Sequence, residues 1–291
     1  MIYFIKILRP LNLVIANICI ILSAHFIYSN TLDSSSSYLL PNDFYNLLPL
    51  IIVVFMLGGF SNIINDVLDL KIDTYNNSSR PLPSKNITPI KAILFAALLF
   101  FISIYLLLFS NYFNVFSRQI ICYIILPLMI LYTPIFKKIP LLGNIIIGFI
   151  LSMVFIITEV YLRNDIYYLI FPGVFAFIIT VIREIIKDIV DIDGDRKYKI
   201  HTFPVVFGIQ TSIYLVICFS VLLFIVSFIP YIMFPNNFIY IITLIILIHL
   251  PISVGIYYLL KNPNKEYCIF YSKLLKLITC FGIIVIYLIN L

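Results

Sequence analysis

Charged residues are scarce in this sequence. They make up only 11% of its 291 residues, whereas an average soluble domain carries roughly a quarter. Hydrophobic residues account for 63%, and the mean hydropathy is +1.11. A globular protein must cover its surface with polar groups, so this composition excludes a soluble enzyme and also a disordered chain. It predicts a polytopic membrane protein.

Cysteine is also sparse, and the few cysteines are scattered. No CxxC pair or Cys/His cluster occurs, so the spacing indicates neither a zinc site nor a disulfide framework. We interpret these residues as small buried hydrophobic side chains. They are Cys19, Cys122, Cys218, Cys268 and Cys280.

Nine segments are apolar over about the 20 residues that a membrane-spanning helix needs. They are 10–28, 46–65, 92–110, 119–136, 139–158, 166–187, 209–229, 237–260 and 274–291. The first is not read as a cleavable signal peptide, because Asn12 and Asn17 interrupt it and no small-residue cleavage site follows. The segment 30–43 is read as a polar external loop, and Glu159 as an interfacial charge at the external end of the fifth span. We predict an all-α membrane protein whose nine transmembrane helices form one domain, 1–291, around a central cavity.

The basic residues fall almost entirely on one side of these spans. Seventeen of the nineteen lysines and arginines lie on the side shared by the N-terminus and by every second loop. The two exceptions are Arg118 and Arg163. By the positive-inside rule the basic side is cytoplasmic. This pattern predicts a multi-pass protein of the cell membrane with a cytoplasmic N-terminus, and it argues against nucleic acid as the reason for the net charge of +6.

Acidic residues cluster at the cytoplasmic ends of the second and sixth spans. The spacing Asp-x-x-Asp-x-x-x-Asp occurs once in each cluster. At 100° per residue, the three positions fall within about 60° of one another on a helix. We therefore predict two aspartate stripes, with Asp193 pointing elsewhere. The first stripe is Asp66, Asp69 and Asp73, and the second stripe is Asp188, Asp191 and Asp195.

Three carboxylates on one helical face repel each other, and near a bilayer they are unfavourable. A divalent cation compensates for this, and Mg²⁺ prefers oxygen ligands and shares its coordination shell with phosphate. We predict that all six aspartates are catalytic metal ligands and that the stripes face a common cavity holding a diphosphate. An orienting role is the alternative for Asp66.

Basic side chains accompany both stripes. Arg9, Arg80, Arg183 and Lys187 are predicted to bind the diphosphate and to offset charge on it as it leaves. The alternative is that all these charges form solvated surface pairs of little energetic value. The repetition of one spacing at equivalent span ends favours the binding site.

The two acidic segments resemble known signatures. Residues 65–73, followed by 79–84 (Ser-Arg-Pro-Leu-Pro-Ser), resemble the first motif of the UbiA superfamily of intramembrane prenyltransferases. Residues 183–195 resemble the second motif, and 9–12 (Arg-Pro-Leu-Asn) also fit. The resemblance covers the whole chain and implies the UbiA-type fold. It adds Asn65 to the predicted diphosphate-binding residues.

Within the superfamily, the second motif is most similar to that of the digeranylgeranylglyceryl phosphate synthases. Homogentisate prenyltransferases and chlorophyll synthases share part of it. The chain departs from the usual pattern at three positions: Lys85 and Lys199 stand where glycine is usual, and Phe203 replaces a leucine. These departures leave the diphosphate chemistry intact and the acceptor open.

The resemblance implies a Mg²⁺-dependent transfer of a prenyl group from its diphosphate to a lipid acceptor. The leading expectation is a geranylgeranyl group passed to the hydroxyl of geranylgeranylglyceryl phosphate in ether-lipid biosynthesis. The alternative acceptor is an aromatic ring carbon of homogentisate, chlorophyllide or a quinone precursor. An ion-coupled transporter is an alternative of a different class. It is disfavoured because transporters place such acids near the middle of the bilayer.

Overall fold

The computed structural model describes residues 2–31, 41–76, 80–233 and 238–288, and every regular element in these ranges is helical. Residues 32–40 of the predicted loop and 289–291 of the ninth predicted span lie outside the described residues. The α-helices are α1 (Ile2–Ile7), α2 (Pro10–Thr31), α3 (Pro41–Leu68), α4 (Leu70–Asn76), α5 (Pro89–Phe109), α6 (Val115–Gln119), α7 (Leu126–Tyr132), α8 (Leu142–Arg163), α9 (Ile170–Lys197), α10 (Phe203–Phe207), α11 (Ile209–Ser227), α12 (Ile229–Met233), α13 (Phe238–Leu244), α14 (Leu250–Lys261) and α15 (Lys265–Tyr287).

Seven helical segments of the described chain are long and apolar enough to cross a membrane. They are Pro10–Ser29, Tyr45–Leu68, Pro89–Phe109, Val115–Tyr132, Leu142–Arg163, Ile209–Ile232 and Phe238–Lys261. Each matches one of the nine spans predicted from the sequence. The other two predicted spans, 166–187 and 274–291, correspond to α9 and α15, which lie outside this set of seven. In α9, three charged side chains interrupt the apolar stretch: Arg183, Glu184 and Lys187.

The chain divides into two compact units. The first contains Met1–Pro134 and Met153–Leu169, and the second contains Ile135–Ser152 and Ile170–Leu291. The first aspartate stripe therefore belongs to the first unit and the second stripe to the second unit. The single domain and the shared cavity stay predictions.

Helix α3 forms the centre of the first unit. Its buried side chains Leu47, Leu50, Val53 and Leu57 join an apolar core with residues of α2, α5, α7 and α8. Nearer the C-terminal end of α3, Gly59 leaves room for α1 and its following turn, since a Cβ there would lie 2.8 Å from the side chain of Leu8. This close approach brings the turn before α2 against the end of α3 that carries the first stripe.

A buried carboxylate organises the loop before α9. Glu159 is 0% exposed. Its Oε1 accepts hydrogen bonds from the backbone N–H groups of Tyr167 (3.0 Å) and Tyr168 (2.7 Å), and its Oε2 accepts one from Leu169 (2.8 Å). Buried backbone donors require such partners. The expectation of an interfacial charge at Glu159 is therefore wrong.

In the second unit, α9 packs against α10, α11 and α15. Helices α14 and α15 approach closely at Gly255, where an added Cβ would lie 2.0 Å from the ring of Tyr271. The Tyr271 hydroxyl donates to the carbonyl of Ile252 (3.2 Å), and the Tyr267 hydroxyl donates to that of Gly255 (2.9 Å). Two tyrosines thus fix α15 to the backbone of α14.

Two π-helical turns occur in corresponding places, within the fourth and eighth predicted spans. One is Ile120–Ile125, directly before Leu126 and Pro127. The other is Ile245–His249, directly before Leu250 and Pro251. Proline lacks an N–H group and crowds the preceding turn. The wider π turn accommodates it and allows the helix to continue.

Candidate active site

The first aspartate stripe lies at the junction of α3 and α4. Asp66 is in the last turn of α3, Asp69 lies between the helices, and Asp73 is in α4. The N–H of Asp69 donates to the carbonyl of Asn65 (2.9 Å) and the N–H of Asp73 to that of Asp69 (2.9 Å), so the helical hydrogen-bond spacing continues through the junction. All three aspartates are buried. The stripe forms as predicted, although the α-helix is interrupted at its middle residue.

Two of the predicted arginines lie on this stripe. Arg9 forms an ion pair with Asp66, and Arg80 forms one with Asp73. The Nη1 of Arg80 is also 3.5 Å from Oδ1 of Asp66. Burial raises the pKa of Asp73, while the Arg80 guanidinium acts in the opposite direction. The structure thus places both cations beside carboxylates of the first stripe, and their binding of a diphosphate stays a prediction.

Arg9 reaches the stripe from an unusual backbone position. Its φ is +55°, in the left-handed region that costs an L-residue about 1–2 kcal/mol. The Nδ2 of Asn62 in α3 donates to the carbonyl of Leu8 at 2.9 Å and holds this turn in place. Non-glycine residues in this region are often found where function requires a particular side-chain position.

Asn65 has a buried partner that sequence reasoning missed. The hydroxyl of Thr133, which directly follows α7, donates to Oδ1 of Asn65. A single threonine at the end of an apolar span is part of no motif, so nothing in the sequence indicated its contact with Asn65. Ser79, in the segment after the first motif, lies outside the described residues.

The second stripe lies on the uninterrupted helix α9. Asp195 is buried, Asp188 and Asp191 are half-buried, and Asp193 is exposed. The exposure of Asp193 agrees with the prediction that it points away from the other three.

Neutral side chains donate to this stripe. The Nδ2 of Asn144, in the first turn of α8, lies 2.7 Å from Oδ2 of Asp188. The Oγ1 of Thr202 lies 3.1 Å from Oδ2 of Asp195. Both donors are buried. Neither was identified from the sequence, because each is a single polar residue outside the acidic motifs.

The two cations predicted beside the second stripe have a different partner. The Nζ of Lys187 lies 2.6 Å from Oε2 of Glu184, and Nη2 of Arg183 lies 3.7 Å from Oε1 of the same residue. Glu184 is buried. The structure thus brings Arg183 and Lys187 to Glu184, one turn before the stripe.

The donor chemistry of both stripes fits a divalent cation. Carboxylate oxygens are the ligands that Mg²⁺ prefers, and the hydrogen bonds to Asp188 and Asp195 come from neutral groups that add no positive charge. In the part of the chain that the structure describes, no three acidic, histidine or cysteine side chains converge as a ready metal site. Mg²⁺ usually keeps several waters and shares its shell with substrate phosphates.

The two lysines at positions where glycine is usual share one backbone feature. Lys85 has φ +60° and Lys199 has φ +55°. Glycine adopts this left-handed region at no steric penalty. The structure therefore explains why glycine suits both positions, and it shows that lysine does not prevent either turn from forming.

The whole-chain comparisons agree with these motifs. The model of the UbiA prenyltransferase family matches residues 36–277. The chain belongs to the UbiA prenyltransferase family. The resemblance seen in the two acidic motifs is thereby confirmed, together with the expectation of a multi-pass membrane enzyme.

Similar UbiA prenyltransferases include digeranylgeranylglyceryl phosphate synthases. That of Methanococcus maripaludis is 34% identical over 81% of this chain and 82% of its own length. That of Methanosphaera stadtmanae is 31% identical over 94% of both chains. A solved structure of a digeranylgeranylglyceryl phosphate synthase is 30% identical, with a TM-score of 0.70 over 99% of this chain and 98% of that chain.

The fold is also similar to that of a more distant relative. The structure of a UbiA homologue from Archaeoglobus fulgidus bound to GPP and Mg²⁺ has a TM-score of 0.65 and 17% identity, over 98% of this chain and 99% of that chain. This likeness shows the fold alone. It confirms the predicted UbiA-type architecture.

Proposed function

We propose that this UbiA prenyltransferase transfers a geranylgeranyl group from its diphosphate to the hydroxyl of geranylgeranylglyceryl phosphate. The observation that carries the proposal is the pair of relatives named for this activity, at 31–34% identity over 81–94% of the chain. The second motif, with its Arg-Glu-Ile-Ile-Lys-Asp sequence, supports the same branch of the family. The product would be a lipid with two ether-linked prenyl chains.

The six aspartates of the two stripes are proposed to hold Mg²⁺ with the substrate diphosphate. When bound, Mg²⁺ acts as a Lewis acid that stabilises charge on the departing diphosphate. The chemistry of the stripes supports this role, because Mg²⁺ prefers oxygen ligands and shares its coordination shell with substrate phosphate.

The cations are proposed to bind diphosphate oxygens directly. Arg9 and Arg80 already lie on the first stripe, so little rearrangement is needed to donate charge-assisted hydrogen bonds to the leaving group. Asn65 is proposed to contribute from the same helix. Arg183 and Lys187 are proposed to bind the diphosphate from α9, where it competes with Glu184 for contact with these two side chains.

The proposal includes nine membrane-spanning helices with the active face in the cytoplasm of a cell-membrane protein. Helix α9 has 28 residues and α15 has 23. At 1.5 Å per residue each exceeds the roughly 30 Å hydrocarbon thickness of a bilayer. The basic residues on one side of the predicted spans support this orientation.

An acceptor panel tests the proposal. Purified protein in detergent is incubated with Mg²⁺ and labelled geranylgeranyl diphosphate, and with geranylgeranylglyceryl phosphate, homogentisate or 4-hydroxybenzoate. Product from the glyceryl phosphate lipid alone is expected. Product from an aromatic acceptor alone would overturn the assignment of the acceptor, and no product from any acceptor would overturn the proposed reaction.

A matched pair of variants tests the role of the second stripe. Asp191→Asn removes a carboxylate from the stripe, whereas Asp193→Asn removes an exposed carboxylate from the same helix. Transfer is expected to be lost in the first variant and retained in the second. Equal activities would contradict the proposed metal site.

A further inference from the structure

A buried amide holds one carboxylate of the second stripe. Asn144 is only 6% exposed, and its Nδ2 lies 2.7 Å from Oδ2 of Asp188, 44 residues away in the sequence. A buried amide requires a hydrogen-bond partner, and the side-chain carboxyl of Asp188 supplies it.

The neutrality of the donor distinguishes this contact from an ordinary ion pair. The adjacent cation, Lys187, forms its ion pair with Glu184 at 2.6 Å. An amide holds the rotamer of Asp188 and, unlike a lysine or an arginine, places no positive charge beside it. Thr202 makes the same kind of contact with Asp195 at 3.1 Å.

The first stripe is arranged differently. There, Asp66 and Asp73 form ion pairs with guanidinium groups. The observed contacts therefore differ: guanidinium groups pair with two carboxylates of the first stripe, whereas an amide and a hydroxyl donate to two carboxylates of the second stripe. A neutral donor orients a metal-ligating side chain without adding positive charge that would repel the metal. Hydrogen bonds of this kind to the ligating residues raise metal affinity in metalloproteins.

We propose that Asn144 is a positioning residue, which holds Asp188 by one oxygen so that the other is presented to the metal–diphosphate, and that Thr202 does the same for Asp195. The inference rests on the proposed function, in which the second stripe binds Mg²⁺ with the substrate. Asn144 touches neither substrate nor metal and acts only through Asp188.

Three variants isolate the hydrogen bond. Asn144→Leu keeps the branched shape and the number of heavy atoms and removes the donor, whereas Asn144→Gln retains an amide. Ser152→Ala is the matched control, since Ser152 is a buried polar residue of α8 whose hydroxyl donates to the Phe149 carbonyl (2.7 Å). Two measurements are made on each: the rise in Tm produced by Mg²⁺ with inorganic pyrophosphate, and the Mg²⁺ concentration giving half-maximal transfer.

The Mg²⁺ concentration for half-maximal transfer is expected to rise about tenfold or more in Asn144→Leu. The Tm rise caused by Mg²⁺ with pyrophosphate is expected to shrink in parallel. Asn144→Gln should recover part of both quantities, and Ser152→Ala should match the wild type.

An unchanged Mg²⁺ requirement in a folded Asn144→Leu protein would overturn the inference and leave the proposed function standing. A lower Tm without Mg²⁺, combined with a normal Mg²⁺ requirement, would show a purely structural role. If Asn144→Leu does not fold, Asn144→Ser, which also breaks the contact, takes its place in both measurements with the same expected results. A wild-type protein with neither a Mg²⁺-dependent Tm rise nor transfer would refute the proposed function itself.

Discussion

The guanidinium of Arg9 pairs with the buried carboxylate of Asp66 from a residue whose backbone is in the left-handed region. The turn that carries Arg9 is tied to α3 by the hydrogen bond from Asn62 to Leu8. The same helix therefore holds both the carboxylate and the turn that presents its cation. This arrangement fixes the arginine before any substrate arrives, at the expense of local backbone strain.

Two substitutions of Arg9 distinguish the effect of its charge from the effect of its left-handed backbone conformation. Arg9→Gly and Arg9→Ala both remove the guanidinium and are expected to lower kcat/KM at least tenfold, since a charge-assisted hydrogen bond is worth about 1.5–3 kcal/mol. The glycine variant should be more stable than the alanine variant by about 1 kcal/mol, because only glycine adopts this φ freely. Transfer assays and thermal unfolding in detergent measure the two effects. Equal stabilities would contradict the assigned conformation.

Lys85 and Lys199 are sites where glycine should stabilise the protein. Their left-handed conformations cost about 1–2 kcal/mol each, and glycine's greater freedom in the unfolded state takes back about 0.5–1 kcal/mol. Lys85→Gly and Lys199→Gly are each expected to raise the free energy of unfolding by about 0.5–1 kcal/mol. The alanine variants are the controls and should show no gain. If the alanine variants were also more stable, the gain would come from loss of the lysine charge and not from relief of backbone strain.

Removal of divalent cations should abolish transfer. The carboxylates of Asp188 and Asp195 accept hydrogen bonds from neutral side chains, and the proposal assigns to Mg²⁺ the charge that stabilises the departing diphosphate. Chelation with EDTA is expected to reduce product formation to background, and excess Mg²⁺ should restore it. Tm measured in parallel separates loss of the metal from loss of the fold. Full activity in EDTA would refute the metal-dependent mechanism.

Glu159 should contribute to stability and not to chemistry. Its carboxylate accepts three backbone hydrogen bonds, and a glutamine would place a donor against at least one of these N–H groups. Glu159→Gln is expected to lower the free energy of unfolding by about 2 kcal/mol, with unchanged activity per folded molecule. Glu266→Gln, at an exposed position of α15, is the control and should be neutral.

Gly255 should tolerate no side chain. An added Cβ would lie 2.0 Å from the ring of Tyr271, which is fully buried. Gly255→Ala is expected to destabilise the protein by about 1–3 kcal/mol through overpacking. Gly282→Ala is the matched control on α15, where the nearest side-chain atom is 3.9 Å away. That substitution should be neutral or stabilising, since alanine favours a helix over glycine.

Much of the candidate site was predictable because it rests on local sequence spacing. The interval between Asp66 and Asp73 is set by helix geometry, and burial of apolar side chains locates the helices that carry it. Arg80 and Arg9 were singled out because one follows the first acidic segment and the other lies at the start of the first span, whereas their pairing with Asp73 and Asp66 is seen only in the structure. Seven predicted spans correspond to observed helices because a bilayer requires every spanning helix to have a similar length and a mainly apolar composition.

The residues that sequence reasoning missed depend on contacts between distant segments. Thr133 is 68 residues from Asn65, and Asn144 is 44 residues from Asp188. A single asparagine or threonine beside an apolar span does not reveal its partner, because the same residue types also satisfy backbone carbonyls. Glu159 was misread for the same reason: its three partners are backbone N–H groups, which carry no sequence signature.

The π turn Ile120–Ile125 determines where the end of its helix points. A π turn accommodates one residue more than the α-helix around it, and one residue corresponds to a rotation of about 100°. Deleting a single residue there would swing Thr133 to another side of the helix axis, away from Asn65. The angular setting of the contact between Thr133 and Asn65 thus depends on one surplus residue in an earlier turn of the same helical segment.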